Sequence, residues 1–263
     1  MLGCLLIIRW AYGEEIASTT AGPSLLPNAH SHNDYLRERP LLDALERGFC
    51  SVEADIFLVD GQLLVAHDRD KCTPERTLDA LYLKPLWERF QAHGAVYPQA
   101  APFTLLIDIK ADGEAAYAAL DRQLTVYDAM LTHFTDTATE HGAVTVVISG
   151  DRAIDTILKS SPRRAGIDGR LSDLEGPLNP HQMPLISDNW LKHFKWMGQG
   201  AMPEAQTEKL ATMVKKAHDG GARLRFWATP QHEGIWRALH AAGVDLLNAD
   251  DLAKLQAVLV GGA

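Results

Sequence analysis

The sequence predicts an α/β protein of one domain, a TIM-type (β/α)8 barrel with a β-hairpin extension after strand two. Three observations lead there. The chain has 263 residues, close to the roughly 250 residues of a single barrel of this type. Short apolar runs alternate with helical patterns along its whole length, which implies a parallel sheet. Eight such runs at this length favour a closed barrel over a doubly wound sheet.

The strand-like runs are residues 25–29, 51–58, 103–109, 143–149, 165–169, 185–187, 222–227 and 244–248. Helical patterns cover 39–47, 78–91, 114–132, 153–159, 204–218, 232–241 and 251–258. One element breaks the alternation. Val59-Asp60-Gly61-Gln62 separates two apolar runs, and Asp-Gly is a strong hairpin signal. Strand two therefore extends into a hairpin that returns through 63–66 and brings His67 back toward the strand end. The stretch 171–200, rich in Pro, Gly and Asn, reads as long loops around a short sixth strand.

Hydrophobic residues make up 46% of the chain, enough for a sizeable core, and the formal net charge is -9. No basic block interrupts this, so a nucleic-acid partner is not expected. Residues 1–20 read as an N-terminal extension or the remnant of an export signal, with the barrel domain over 21–263. The apolar run there is too short to span a bilayer, and no positive segment precedes it. A first helix packed under the barrel is the alternative. The export reading implies a periplasmic or secreted monomer without stable transmembrane anchoring; a cytoplasmic location is the alternative. Cys4, Cys50 and Cys72 show no metal-ligand spacing, and no disulfide is predicted.

The chemistry concentrates between Asn28 and Asp68. In Ser51-Val52-Glu53-Ala54-Asp55-Ile56-Phe57 the side chains alternate faces. Glu53 and Asp55 thus share one face, pointing into the barrel mouth. Two neighbouring carboxylates repel, and burying them costs several kcal/mol each unless a cation compensates. A hard divalent ion, Mg2+ or Ca2+, fits oxygen ligands of this kind; a buried pair with Arg or Lys is the plainer alternative. Asp108, at the end of strand three, can complete a three-carboxylate metal set. Lys110 shares its face and can neutralise a phosphate.

His30 and His67 bracket the acids and are the catalytic acid/base candidates, since imidazole titrates near neutral pH. His30-Ser31-His32 also permits a rival, a zinc amidohydrolase using both imidazoles as ligands. That class needs histidines at the ends of strands five and six, and these read Ala165-Gly166-Ile167-Asp168-Gly169 and Leu185-Ile186-Ser187-Asp188-Asn189. His32, Asn33, Lys110, Asp188, Arg225, Trp227 and Asp250 are the substrate-binding candidates. Arg225 is read as a phosphate clamp and Trp227 as an apolar wall, or as plain core packing.

Taken together, the pattern resembles the phosphatidylinositol-phospholipase-C-like phosphodiesterase superfamily, best known from glycerophosphodiester phosphodiesterases. Its marks are a His after strand one, a Glu-x-Asp on strand two, an Asp-Gly hairpin and a His-Asp beyond it. Here they are His30, Glu53 with Asp55, Asp60-Gly61 and His67-Asp68. Asp108 and Lys110 look like the family's strand-three Glu-x-Lys, and Ala249-Asp250 matches its strand-eight Thr-Asp loosely. Two departures stand out: the family's His-Arg-Gly is His30-Ser31-His32, and its Pro-Glu-Asn-Thr segment is missing. His30 and Asn33 also resemble the His-x-x-Asn of sphingomyelinase-D-type enzymes. The fuller string looks most similar to a fungal and bacterial branch of the altered-inheritance-of-mitochondria type.

The resemblance implies a metal-dependent phosphodiester hydrolase acting on a glycerophosphodiester or phospholipid head group. One divalent metal, Mg2+ or Ca2+, would sit on Glu53, Asp55 and Asp108. The nucleophile would be water or a substrate hydroxyl that yields a cyclic phosphate. The zinc hydrolase and a non-catalytic lipid- or sugar-binding barrel are the alternatives from other classes.

Overall fold

The computed structural model describes residues 22–261; the N-terminal extension and Cys4 lie outside them. Eight parallel strands close into a barrel, β1 (Leu26–Ser31), β2 (Phe49–Val59), β3 (Phe103–Ile109), β4 (Val144–Gly150), β5 (Ala165–Gly169), β6 (Leu185–Asn189), β7 (Arg223–Trp227) and β8 (Leu246–Ala249). Closure comes from β1, which pairs with both β8 and β2. The helices that cover the outside are α1 (Leu42–Leu45), α2 (Lys84–His93), α3 (Gly113–Leu124), α4 (Ile154–Lys159), α5 (Trp190–His193), α6 (Glu204–Asp219), α7 (Glu233–Ala241) and α8 (Leu252–Val260).

Strand alternation divides the apolar residues into two cores. Val52, Ala54 and Ile56 of β2 join the large core between strands and helices. Leu106, Val147, Leu185 and Leu246 form a separate small cluster. These four project inward from β3, β4, β6 and β8, as a single aliphatic layer across the barrel. Toward the C-terminal end the interior turns polar.

The expected hairpin is present, with Gln62–Val65 antiparallel to the far end of β2 and Ile56 opposite Val65. Asp60 and Gly61 both have positive φ, 49° and 80°, as this tight turn requires. The first predicted helix shrinks to α1, because Leu41 takes a φ of 65° immediately before it. The second opens with a π turn over Asp79–Leu83. Pro85 sits at the start of α2 and has no N–H to continue the ordinary ladder. The third passes into a 3-10 turn over Thr125–Met130. A two-stranded insert, His133–Phe134 with Thr139–Glu140, has no counterpart in the sequence reading, since two-residue strands carry no detectable period. Cys50 and Cys72 are free thiols. No helix among the described residues is long and apolar enough to cross a membrane.

Candidate active site

At the C-terminal end of the barrel the strands deliver acids. The β2–β3 register sets Asp55 directly beside Asp108. One carboxylate oxygen from each of Glu53, Asp55 and Asp108 lies within 4.8 Å of the other two. Two cations serve this cluster. Arg225, from β7, donates from Nη2 to Glu53 Oε2 at 2.5 Å and from Nε to Asn248 Oδ1 at 2.8 Å. Lys110 Nζ lies 2.7 Å from Asp55 Oδ2 and 3.5 Å from Asp108 Oδ1.

Three carboxylates against two cations leave one negative charge over. Burial alone would raise the Glu53 pKa, but Arg225 overrides it and holds the group well below the usual carboxylate range. Asp55 moves up instead, through burial and then its neighbour Glu53. Burial pushes Asp108 up to about 6, against the pull of Lys110. Burial also opposes the Lys110 charge, but Asp55 and Asp108 more than offset it and raise its pKa. Asp55 Oδ1 is buried and has no hydrogen-bond partner among the described residues. An orphan oxygen, an excess negative charge and an all-oxygen donor set fit a hard divalent cation. Gly150, with a φ of 72°, closes against the Asp108 carboxylate so tightly that a Cβ would collide with it.

The histidines are placed in three different ways. His30 lies within β1, level with Ser51 and Asn248, rather than beyond the strand end. It is fully buried, with Nδ1 2.8 Å from Ser51 Oγ and Nε2 3.3 Å from Glu53 Oε2. Burial first, then Arg225, pulls its pKa down to about 3, so the imidazole is neutral. His67 returns on the hairpin, as the sequence predicts. Its Nδ1 contacts Asp55 Oδ2 at 3.2 Å and the Tyr35 hydroxyl at 3.1 Å, and its ring stacks along Tyr35. Its side chain is 58% exposed, and its Nε2 makes no hydrogen bond among the described residues. His32 stands at the rim with Nδ1 2.8 Å from Asp250 Oδ1.

Asn33 connects these rims. Its backbone is left-handed (φ 50°), a conformation that Asn tolerates. The amide donates to Asp250 Oδ1 at 3.1 Å, and its carbonyl accepts from the Tyr35 hydroxyl at 2.7 Å. Beneath them Asp34 is buried and receives Ser31 Oγ, the Leu41 N–H and the Tyr82 hydroxyl, which fixes the loop after β1.

A cavity of about 420 Å³ opens over the acids, lined by His32, Asn33, Glu53, His67, Asp108, Lys110, Arg170, Arg225 and Trp227, among others. Three substrate-binding expectations need correction. Asp188 is not in it. On β6 the inward parity belongs to Ser187, while Asp188 pairs beside Phe226 and lies 3.1 Å from His193 Nε2 on the helix side. Arg225 reaches the floor as the buried counter-ion of Glu53, not as a free phosphate clamp. Asp250 holds His32 and Asn33 without lining the cavity itself. Sequence reasoning passed over Tyr35 and Arg170. Arg170 continues the inward parity of Gly166 and Asp168, and its Nη1 bonds Asp168 Oδ2 at 2.9 Å. That parity was the available signal.

Comparison with known proteins agrees with this architecture. Residues 24–167 match the family model of the AIM6-like phosphodiesterase domain. The Altered inheritance of mitochondria protein 6 homolog of Arthroderma benhamiae is 31% identical over 255 residues, covering 85% of this chain and 81% of that protein. Altered inheritance of mitochondria protein 6 of Saccharomyces cerevisiae is 29% identical over 267 residues, covering 85% and 68%. Among solved structures, a glycerophosphodiester phosphodiesterase from Parabacteroides distasonis superposes with a TM-score of 0.59 at 14% identity, covering 89% of this chain and 97% of that one. The glycerophosphodiester phosphodiesterase from Agrobacterium tumefaciens gives 0.56 at 16% identity, covering 90% and 100%. At these identities the structural likeness speaks for the barrel fold.

Proposed function

The chain belongs to the AIM6-like phosphodiesterase family, and from that premise we propose that it hydrolyses a glycerophosphodiester or phospholipid head group with one divalent cation, Mg2+ or Ca2+. One observation carries this reading. One oxygen from each of three carboxylates lies within 4.8 Å of the other two, and Asp55 Oδ1 has no hydrogen-bond partner among the described residues. Glu53, Asp55 and Asp108 would hold the cation, which when bound supplies positive charge against the phosphoryl oxygens.

The protein's own groups divide the remaining work. Lys110 adds a fixed positive charge beside the acids, where a phosphoryl group gains negative charge. Arg225, itself held by Asn248, fixes Glu53 in place and keeps it ionised. His67 presents a free Nε2 to the cavity while Asp55 and Tyr35 fix its Nδ1, an arrangement suited to protonating the leaving alkoxide. His30 is held neutral, the state a proton acceptor needs, but it is buried with Nε2 facing Glu53 Oε2, so its assignment to the proton of the attacking oxygen requires that contact to open. The zinc reading finds less support, since His30 and His32 turn to different carboxylates, Glu53 and Asp250.

The test is a screen of glycerophosphodiesters, lysophospholipids, sphingomyelin and phosphoinositides with Mg2+, Ca2+ and EDTA. Cleavage is expected with a divalent ion, to be lost in EDTA and to fall at least ~10³-fold in Glu53→Gln. Analysis of the product for a cyclic phosphate separates a substrate hydroxyl from water as nucleophile. His67→Asn and His30→Asn should each cost about 10²–10⁴-fold. A loss at His32→Asn larger than at His30→Asn would transfer the acceptor role to His32. No cleavage under any metal, or indifference to Glu53→Gln, overturns the proposal.

A further inference from the structure

The opposite end of the barrel holds a second cavity, of about 580 Å³. It is lined by residues at or just before the N-terminal ends of the strands, among them Pro27, Cys50, Pro102, Thr104 and Arg223. Phe134 and Thr139 of the two-stranded insert and Pro180, His181 and Pro184 of the loop before β6 line the wall. The aliphatic layer of Leu106, Val147, Leu185 and Leu246 lies between this space and the acid cluster. It is a built feature. Buried Arg163 ties the insert to the loop by donating to Thr135 O at 2.8 Å, His181 O at 3.1 Å and Asp136 Oδ1 at 2.9 Å. Thr139 Oγ1 and His181 Nδ1 meet at 2.9 Å across the same seam.

Arg223 is the unusual group there. It sits two residues before Arg225 on the same inward face of β7. Unlike Arg225 it makes no ion pair among the described residues. Its Nη1 donates to Thr104 Oγ1 at 3.1 Å and its Nη2 to Pro27 O at 3.4 Å, both neutral oxygens. The nearby carboxylate of Asp245 is already engaged, its Oδ2 accepting from the Leu224 N–H at 2.7 Å and facing His218 Nε2 at 2.9 Å. Burial pulls the guanidinium pKa down, and Asp245 only partly opposes that. The guanidinium is half-buried among prolines and an aromatic ring, paired directly with no carboxylate among the described residues, so an anionic group entering the cavity would find a partner there.

We propose that this N-terminal cavity is a binding site for an organic carboxylate with an apolar body, of the medium-chain fatty acid class, whose head group pairs with Arg223 and whose chain lies against Phe134 and the prolines. The volume suits a ligand of that size, since such pockets run roughly 300–1,000 Å³. Guanidinium and carboxylate match as a two-pronged pair. The site is independent of the phosphodiesterase reading.

The test is isothermal titration of the full chain with octanoate, octan-1-ol and inorganic phosphate. Octanoate is expected to bind one to one and at least tenfold more tightly than either control. Arg223→Met should weaken octanoate at least tenfold and leave octan-1-ol unchanged. His141→Trp, at the exposed rim of the cavity, should block octanoate without touching the guanidinium, and it serves if Arg223→Met does not fold. Octanoate that fails to bind, binds no better than octan-1-ol or phosphate, or binds folded Arg223→Met and His141→Trp undiminished would overturn the proposal.

Discussion

The two mouths of the barrel use the same strand and the same residue type to opposite ends. At the C-terminal mouth Arg225 is locked to Glu53 and Asn248 in a site with surplus negative charge. At the N-terminal mouth Arg223 meets, among the described residues, only neutral oxygens in a largely apolar chamber. One layer of aliphatic side chains lies between them. The difference teaches that charge placement, not residue type, separates the two ends. The upper mouth holds more acids than cations, and the lower one holds a cation with no paired acid among the described residues.

The largest test of that contrast removes each arginine in turn. Arg225→Met leaves Glu53 buried without its counter-ion and should cost about 3–5 kcal/mol in urea denaturation. Arg223→Met leaves no carboxylate stranded and should stay within about 1 kcal/mol. Equal losses would break the comparison. A second test adds a cation to the upper mouth. A divalent ion at a hundred times its Kd should stabilise the protein by about 2.7 kcal/mol. Asp55→Asn should abolish that gain, as read by thermal unfolding with and without EDTA.

The third test is pH. Asp108 keeps its proton up to about 6 in the folded state, whereas its ordinary value is 3.8. The folded protein therefore binds more protons than the unfolded chain between these values. Asp108 by itself should therefore contribute a loss of roughly 2 kcal/mol as pH rises from 4 to 6, while His30, held near 3 in the folded state against an ordinary 6.5, contributes an opposing rise over the same window. Measured as the difference between wild type and Asp108→Asn, in which the His30 part cancels, that loss should appear across the window, and an unchanged or rising difference would refute it. Smallest is Gly150→Ala. The positive φ and the collision with Asp108 predict a loss of about 1–2 kcal/mol, together with weaker divalent binding by titration.

Much of this was legible in the sequence, because it depends on neighbours along the chain. Strand–helix alternation gave the barrel, Asp60-Gly61 gave the hairpin that returns His67, and the Glu53-x-Asp55 spacing put both acids on one face. Parity also held the clues to Asp188 and Arg170: counted from Ser187 and Asp168, it sends the first out of the cavity and the second into it. Other features could not be read locally. Arg225 and Glu53 stand 172 positions apart, and no local period states that one will neutralise the other. The burial of His30, the convergence of Asp108 on Asp55 and the isolation of Arg223 likewise depend on which strands become neighbours when the barrel closes. Sequence alone determined the fold class and the kinds of groups at each strand end, since side-chain periodicity is a property of consecutive residues. Only the tertiary structure decided which charges are paired and which are left over, since electrostatic balance is set by distances across the barrel.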